Sequence, residues 1–262
     1  MNGLIKLNLF LIANNSMCNT FISGATGKVG RILVEKVLED SDLILSGGSA
    51  SKDSKNIGKD LGDFIGKHNI NISVVDDISN QQDIDLIIDF SRPENSIKVL
   101  RFANKEKIPT VLGTTGFSDT ELKEISEISK EIPLLIAPNT SMGVAIFKKL
   151  IYQYKDILKL ASSIEIHEKH HEEKIDSPSG TAINLKEQLE EISSKENIKI
   201  ISVREGHSAG EHTIKLYFDD EVLEISHQAL DRSIFAKGAI IAGKWLMDKK
   251  PGSYTMQDIY PS

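Results

Sequence analysis

The sequence predicts an α/β protein with a doubly wound parallel sheet in its first half. A second, α+β domain with a mixed or antiparallel sheet follows. Three observations predict this. Short, wholly apolar runs recur between Met17 and Ala137 with helix-like segments between them, the pattern of strands buried on both faces. The first run leads straight into a glycine-rich loop and an amphipathic helix. After about Gly143, SIEIHE alternates apolar and polar residues and further strand-like runs follow, as in the half-buried strands of another sheet.

Taken in order, Thr20, Phe21 and Ile22 form the first strand, and Val29, Ile32, Leu33, Val37 and Leu38 fall on one face of the following helix. Further strands are expected at LILS from Leu43, ISVV from Ile72, DLIIDF from Asp85, TVLG from Thr110 and LLIA from Leu134, with helices over Glu94 to Lys105 and Asp119 to Lys130. The second domain begins with a helical segment, Ala145 to Leu158, then SIEIHE as a strand. A helix from about Ser179 to Ser193 buries Ala182, Leu185, Leu189 and Ile192, and the strands IKIISVR, HTIKLYF and EVLEISHQ complete the domain. Asp219-Asp220 between the last two suits a tight hairpin turn. The final helix, Ile234 to Met247, is expected to return to the first domain. The division expected is 1–16 as an extension outside the core, 17–140 as a dinucleotide-binding domain, 141–233 as a substrate-binding and oligomerisation domain, and 234–262 as the returning helix and tail.

The 262 residues are 40% hydrophobic, enough for one large or two moderate cores, and carry a net charge of −7. That charge argues against a nucleic-acid or anionic-membrane partner, since both need a basic face. Cys18 is the sole cysteine, so a disulfide framework and a cysteine metal site are excluded, and it reads as an inert thiol. No apolar run is long enough to span a bilayer. The opening MNGLIKLNLFLIANNS resembles a weak signal peptide but reads better as an upstream extension, with Met17 as an alternative start, because a cytoplasmic cofactor site follows it.

That cofactor site rests on GATGKVG. Gly24, Gly27 and Gly30 stand between a strand and a helix: the first allows the tight turn, the second lets a pyrophosphate approach the backbone, and the third lets the helix pack on the sheet. The helix N-terminus adds unpaired N–H donors for phosphate. Lys28 is followed by Val29, so this is not a Walker loop, and a Rossmann-like dinucleotide site is expected. Polar loops after three later strands, DFSRPENS, GTTGF and APNTSMG, suit a ligand lying across the strand ends. After the second strand SGGSASKDSK has no carboxylate at the strand end to hold ribose hydroxyls. Lys28, Arg31 and Lys52 could meet a 2′-phosphate instead, pointing to NADPH, with NADH still usable; the same stretch reads equally well as a serine-rich surface loop.

The stretch His167 to Ala182, HEKHHEEKIDSPSGTA, carries the densest chemistry. HEKHH matches the H-E-x-x-H zinc-hydrolase pattern, which needs His167 and His171 one helical turn apart. The alternating SIEIHE before it and the breakers Asp176, Ser177, Pro178 and Gly180 after it disfavour that helix. Ser177 or Ser179 can instead cap a helix beginning near Thr181. Its N-terminus, with His170, His171 and Lys174, makes an anion site suited to a small carboxylate or dicarboxylate, where a histidine exchanges protons near neutral pH. His207 and His212 read as surface or packing residues with a lesser claim as pocket residues, and Trp245 as packing.

His170-His171-Glu172-Glu173-Lys174-Ile175-Asp176-Ser177-Pro178-Ser179-Gly180-Thr181-Ala182 resembles the H-H-x-x-K-x-D-x-P-S-G-T-A signature of the dihydrodipicolinate reductase family. The likeness runs over nearly the whole chain from Met17 through GATGKVG, DFSRPE, GTTGF, APNTSMG, GEHT and DRSIFAKGA; residues 1–16 have no counterpart in it. It implies a two-domain cytoplasmic oxidoreductase of diaminopimelate and lysine biosynthesis that reduces a cyclic dicarboxylate with NADPH or NADH, assembled as a homotetramer through the second domain's sheet. By the same resemblance His170 and Lys174 are the catalytic pair. His171 and the amides of Gly180 and Thr181 bind substrate carboxylates. Gly24, Ala25, Thr26, Gly27, Lys28 and Val29, then Gly113, Thr114 and Thr115, then Ala137, Pro138, Asn139 and Thr140 line the dinucleotide. No metal is implied. The readings from other classes are the zinc-dependent hydrolase and a non-catalytic dinucleotide-binding regulator, which would keep the glycine loop without needing His170 or Lys174.

Overall fold

The structure, a computed structural model, describes residues 17–67 and 69–260; the proposed extension 1–16 lies outside the described residues. The chain divides into two compact units, one running to Thr140 and resuming at Ala236, the other Ser141–Phe235.

The first unit holds β1 (Cys18–Ser23), α1 (Lys28–Glu39), β2 (Leu43–Ser49), β3 (Val74–Val75), β4 (Leu86–Asp89), α2 (Pro93–Glu106), β5 (Thr110–Leu112), α3 (Asp119–Ser129) and β6 (Pro133–Ile136). The second holds α4 (Met142–Gln153), α5 (Lys155–Leu160), β7 (Ser163–His170), α6 (Gly180–Ser193), β8 (Lys199–Arg204), β9 (Glu211–Tyr217) and β10 (Val222–Gln228). Helix α7 (Ser233–Leu246) then leads to β11 (Gly252–Tyr254).

The first sheet is ordered β11-β6-β5-β4-β1-β2-β3 and every pair is parallel. From β1 the chain steps outward to β2 and β3, then crosses to β4 on the other side of β1 and steps outward again. Right-handed crossovers in opposite directions put α1 on one face and α2 and α3 on the other. The reversal between β1 and β4 is the switch point, beyond whose carboxyl ends ligands bind. The apolar runs fill the core as their lack of alternation requires: Phe21, Ile87, Leu100, Leu112 and Leu134 pack in one buried cluster. Cys18 is buried, which pushes its thiol up to about 11 and keeps it protonated. Trp245 packs edge-to-face on Tyr254.

The second sheet, β10-β9-β7-β8, is mixed, with β7 parallel to β8 and antiparallel to β9. Strand β7 alternates as SIEIHE predicts: Ile164, Ile166, Glu168 and His170 are buried, while Glu165, His167 and Lys169 lie on the other face. Ile164 and Ile166 pack with Leu185 and Leu189 of α6, which buries all four of its predicted positions.

Four local expectations are corrected. On α1 the buried stripe is Gly30, Leu33, Val34 and Val37, and Leu38 is exposed. A Cβ at Gly30 would lie 2.0 Å from the Gly24 carbonyl oxygen, so the contact Gly30 makes room for is that of the helix with its own loop. The helix expected over Ala145 to Leu158 is two helices broken at Tyr154, whose φ of −104° and ψ of 26° leave the helical region. ISVV contributes only Val74–Val75, and β11 was not expected at all, being too short to show a period.

Candidate active site

Two clusters of expected residues form, one in each unit. In the first unit, Gly24 turns the chain at φ +80°, where a Cβ would strike the Phe90 carbonyl oxygen at 2.3 Å, so only glycine fits. The Ala25 amide donates to the Ser49 carbonyl and the Gly27 amide to that of Gly24, which holds Thr26 at the loop's tip. Gly27 is the N-cap of α1 and offers no side-chain acceptor to the first turn, so the donors around Lys28 and Val29 suit an anion from outside. This arrangement fits a dinucleotide pyrophosphate. Strand β2 ends at Ser49 and Lys52 beyond it is exposed, as is Lys28, whereas Arg31 donates to the Thr26 carbonyl at 2.9 Å and stacks on the Phe64 ring.

The other expected cofactor residues follow β5 and β6. The Gly113 amide donates to the Asp89 carbonyl and the Ala137 amide to that of Leu112, continuing the sheet's pairing, while Thr115 and Pro138 are exposed. Asn139 and the buried Thr140 close this loop. Thr114 is committed elsewhere: its hydroxyl donates to Asp89 and receives the Ser91 amide. Asp89 is fully buried and also accepts from Ser91 and Ser96. Burial raises its carboxyl above the usual range against the lowering pull of these hydroxyls. The sequence showed DFSRPENS as a polar loop but gave no sign that its aspartate gathers hydroxyls from β5 and α2.

In the second unit, His170 ends β7 on the buried face with Glu168 two residues before it, and the imidazole Nδ1 is hydrogen-bonded to the Glu168 carboxylate. The opposite oxygen of Glu168 meets Arg204 Nη2 at 2.8 Å and receives the Ser179 amide at 3.4 Å. Burial opposes ionisation of Glu168, but the hydrogen bond from Arg204, helped by the Ser202 hydroxyl and by His170, outweighs it and holds the carboxyl below its ordinary range. Burial also pushes the His170 pKa down, more than Glu168 raises it. His212 of β9 packs edge-to-face on His170 with ring centres 5.2 Å apart, and burial drives it down to about 3, so it stays neutral.

Ser179 is the N-cap of α6. Its Oγ accepts the Ala182 amide and lies 3.2 Å from His212 Nε2, and Gly180 and Thr181 form the first turn at the positive end of the helix. Between the cap and β7, the Lys174 ammonium pairs with Asp176 at 2.8 Å and the His171 Nε2 receives Arg232 Nη2 at 3.3 Å. The second unit thus links His170 to the cap of α6 through Glu168 and Ser179, and the Lys174 charge bears on His170. Sequence reasoning missed Glu168, Arg204 and Arg232 and undervalued His212, which is buried in the site, while His207 is exposed. The spacing of Glu168 two residues before His170 on an alternating strand was the one available signal.

The zinc reading requires a helix, and the stretch through His170 is a strand. His167 lies on the face opposite Glu168 and His170 and pairs with Glu165 at 2.9 Å. A different trio, Glu168, His170 and His212, does bring three ligand atoms within 4.8 Å of one another. There the Glu168 oxygens are already engaged by Arg204 and His170, so hydrogen bonds occupy the ground an ion would need. Among the described residues, no helix is long and apolar enough to cross a membrane.

Comparison with known proteins covers both units. The family model described as the N-terminus of dihydrodipicolinate reductase matches residues 18–140, and that of its C-terminus matches residues 143–260. The 4-hydroxy-tetrahydrodipicolinate reductase of Archaeoglobus fulgidus is 34% identical over 90% of this chain and 97% of its own. That of Hahella chejuensis is 35% identical over 93% and 98%. Among solved structures, dipicolinate-bound dihydrodipicolinate reductase from Paenisporosarcina sp. TG-14 superposes with a TM-score of 0.77 at 21% identity, over 93% of this chain and all of that one, which shows the shared fold.

Proposed function

The chain belongs to the dihydrodipicolinate reductase family, and from that premise we propose how its own residues carry the reaction. The protein is an oxidoreductase that reduces 4-hydroxy-tetrahydrodipicolinate to tetrahydrodipicolinate with a nicotinamide cofactor, a step of diaminopimelate and lysine biosynthesis. Replacing the hydroxyl by hydrogen consumes a hydride and a proton and releases water. The reduced nicotinamide supplies the hydride when bound. Gly24 to Val29, Gly113 to Thr115 and Ala137 to Thr140 hold the dinucleotide, with the pyrophosphate on the α1 N-terminus. Lys28 and Lys52 favour the 2′-phosphate of NADPH, with NADH still used.

His170 and Lys174 supply the proton, and His171 with the first-turn amides of Gly180 and Thr181 hold the substrate carboxylates. The observation that supports this reading is the link between His170 and the N-terminus of α6 in an acidic protein, the carboxylate that holds His170 also receiving the Ser179 cap amide. The outer face of the second sheet, with Val203 and Val222 exposed, supports assembly as a homotetramer, which light scattering tests. A single buried cysteine and the cofactor requirement favour the cytoplasm.

The test is NADPH oxidation with the substrate generated enzymatically by aldehyde condensation. Losing His170 or Lys174 is expected to cut kcat on the order of a hundred- to ten-thousand-fold with cofactor affinity unchanged. Near-normal turnover in a His170→Gln, Lys174→Ala double variant, or abolition of parent activity by chelators, overturns the assignment.

A further inference from the structure

We propose that Glu168 is the positioning residue of this site: its carboxylate fixes His170 in the Nδ1–H tautomer, so that Nε2 is the nitrogen that takes up a proton and passes it to the substrate, and it ties both proton-handling groups to the cap of the anion-binding helix. The proposal rests on the reading of His170 and Lys174 given above and concerns a residue that touches neither substrate nor cofactor.

The geometry begins with the strand. Residues two apart on β7 share a face, so Glu168 and His170 stand side by side where the buried row passes from isoleucines to polar groups. Both are deeply buried, at 2% and 7% exposure. A buried carboxylate persists only with partners, and this one has three. His170 Nδ1 meets one oxygen; Arg204 Nη2 at 2.8 Å and the Ser179 amide at 3.4 Å meet the other. Paired with Arg204, it is an acceptor only, so the proton of the facing imidazole nitrogen must sit on Nδ1. The Nε2 lone pair then points away from Glu168.

Beside Nε2 the backbone passes closely: a Cβ on Gly210 would lie 2.9 Å from that nitrogen, so only glycine allows the approach. The His212 ring closes the other side, held by Ser179 Oγ. The same carboxylate reaches Lys174 indirectly. Arg204 Nη2 also donates to the Asp176 carbonyl at 2.6 Å, and the Asp176 carboxylate holds the Lys174 ammonium. One buried charge therefore anchors the histidine directly, the lysine through Arg204 and Asp176, and the α6 cap through an amide. A mere counter-ion for Arg204 would need only the second of these contacts.

The tautomer is the readout a purely structural role would not move. Long-range proton–nitrogen spectra of histidine-labelled protein at neutral pH are expected to show His170 as Nδ1–H in the parent. Glu168→Gln is expected to lose that exclusive tautomer and to lower kcat on the order of a hundredfold. Support requires all three results. An Nε2–H parent overturns the proposal, as does a variant with an unchanged tautomer or with kcat within about twofold of the parent. If Glu168→Gln does not fold, the double variant Glu168→Gln, Arg204→Gln, which removes both buried charges together, is judged by the same criteria. His170→Gln in the same assay separates the two readings. If it retains turnover, the catalytic assignment of His170 falls; if it is inactive while Glu168→Gln is not, only the role of Glu168 falls.

Discussion

The Thr114 hydroxyl, beyond the end of β5, donates at 2.9 Å to the carboxylate of Asp89, the last residue of β4. With Ser91 at 2.6 Å and Ser96 near the start of α2, that contact binds the strand ends at the switch point around one buried acid.

Asp89→Ala removes the acceptor of three hydroxyls at once. Each buried donor left unsatisfied costs about 1–3 kcal/mol, so a loss of about 3 kcal/mol or more is expected in urea unfolding, with Asp89→Asn milder because an amide oxygen still accepts. A loss under about 1 kcal/mol in Asp89→Ala would show that the loops hold without it.

Stability should decline as the pH is lowered. Burial takes His212 down to about 3, so it remains neutral in the folded protein, and lowers His170, which takes up its proton at a lower pH than the unfolded chain's histidines do near 6.5. Unfolding then binds protons. Their contribution is complete above about pH 6.5 and is lost downward from there toward each folded pKa, at up to about 1.4 kcal/mol per pH unit for each histidine. Urea midpoints at several pH values between 7 and 5 measure the slope, and His212→Gln should make it shallower by about one proton. An unchanged slope would mean that His212 charges in the folded state.

His171 and Arg232 are expected to act on substrate binding. Arg232 donates to His171 Nε2, leaving Nδ1 as the protonated nitrogen and a guanidinium beside the residue expected to hold a carboxylate. His171→Ala and Arg232→Ala should each raise the substrate KM by about tenfold, since a hydrogen bond to a charged group is worth about 1.5–3 kcal/mol before exposure erodes it. With kcat within about threefold of the parent, the loss is one of ground-state binding. A kcat loss of a hundredfold in either variant would move that residue into the proton-transfer step.

Cofactor choice is expected to turn on the corner after β2. Strand β2 ends at Ser49 without a carboxylate, and Lys28 at the start of α1 and Lys52 after β2 are exposed. A higher kcat/KM with NADPH than with NADH is expected at fixed ionic strength, and Lys28→Ala should narrow the gap by weakening NADPH alone. The gap should stay modest, because exposure and salt screen such contacts. Equal values, or a preference for NADH in the parent, would show that the missing acid does not decide.

The sequence by itself determined the architecture and the chemistry of the stretch His167 to Ala182. Unbroken apolar runs fixed a parallel sheet buried on both faces, alternation in SIEIHE fixed a half-buried strand, and three glycines between strand and helix fixed the tight turn into α1, because each reports local backbone geometry. HHEEKIDSPSGTA carried histidines, lysine and a helix cap in one continuous segment, so that half of the site was legible before folding. The tertiary structure alone decided what those residues touch. Arg204 comes to Glu168 because β8 lies parallel beside β7, and His212 comes to His170 because β9 lies antiparallel on the other side. Strand register places both, and no period within one segment encodes register between segments far apart in the chain. The same reason hid the hydroxyls around Asp89. Periodicity showed that β4 is buried, while only the packed ends of β4, β5 and α2 show that its final carboxylate is the point to which they are tied.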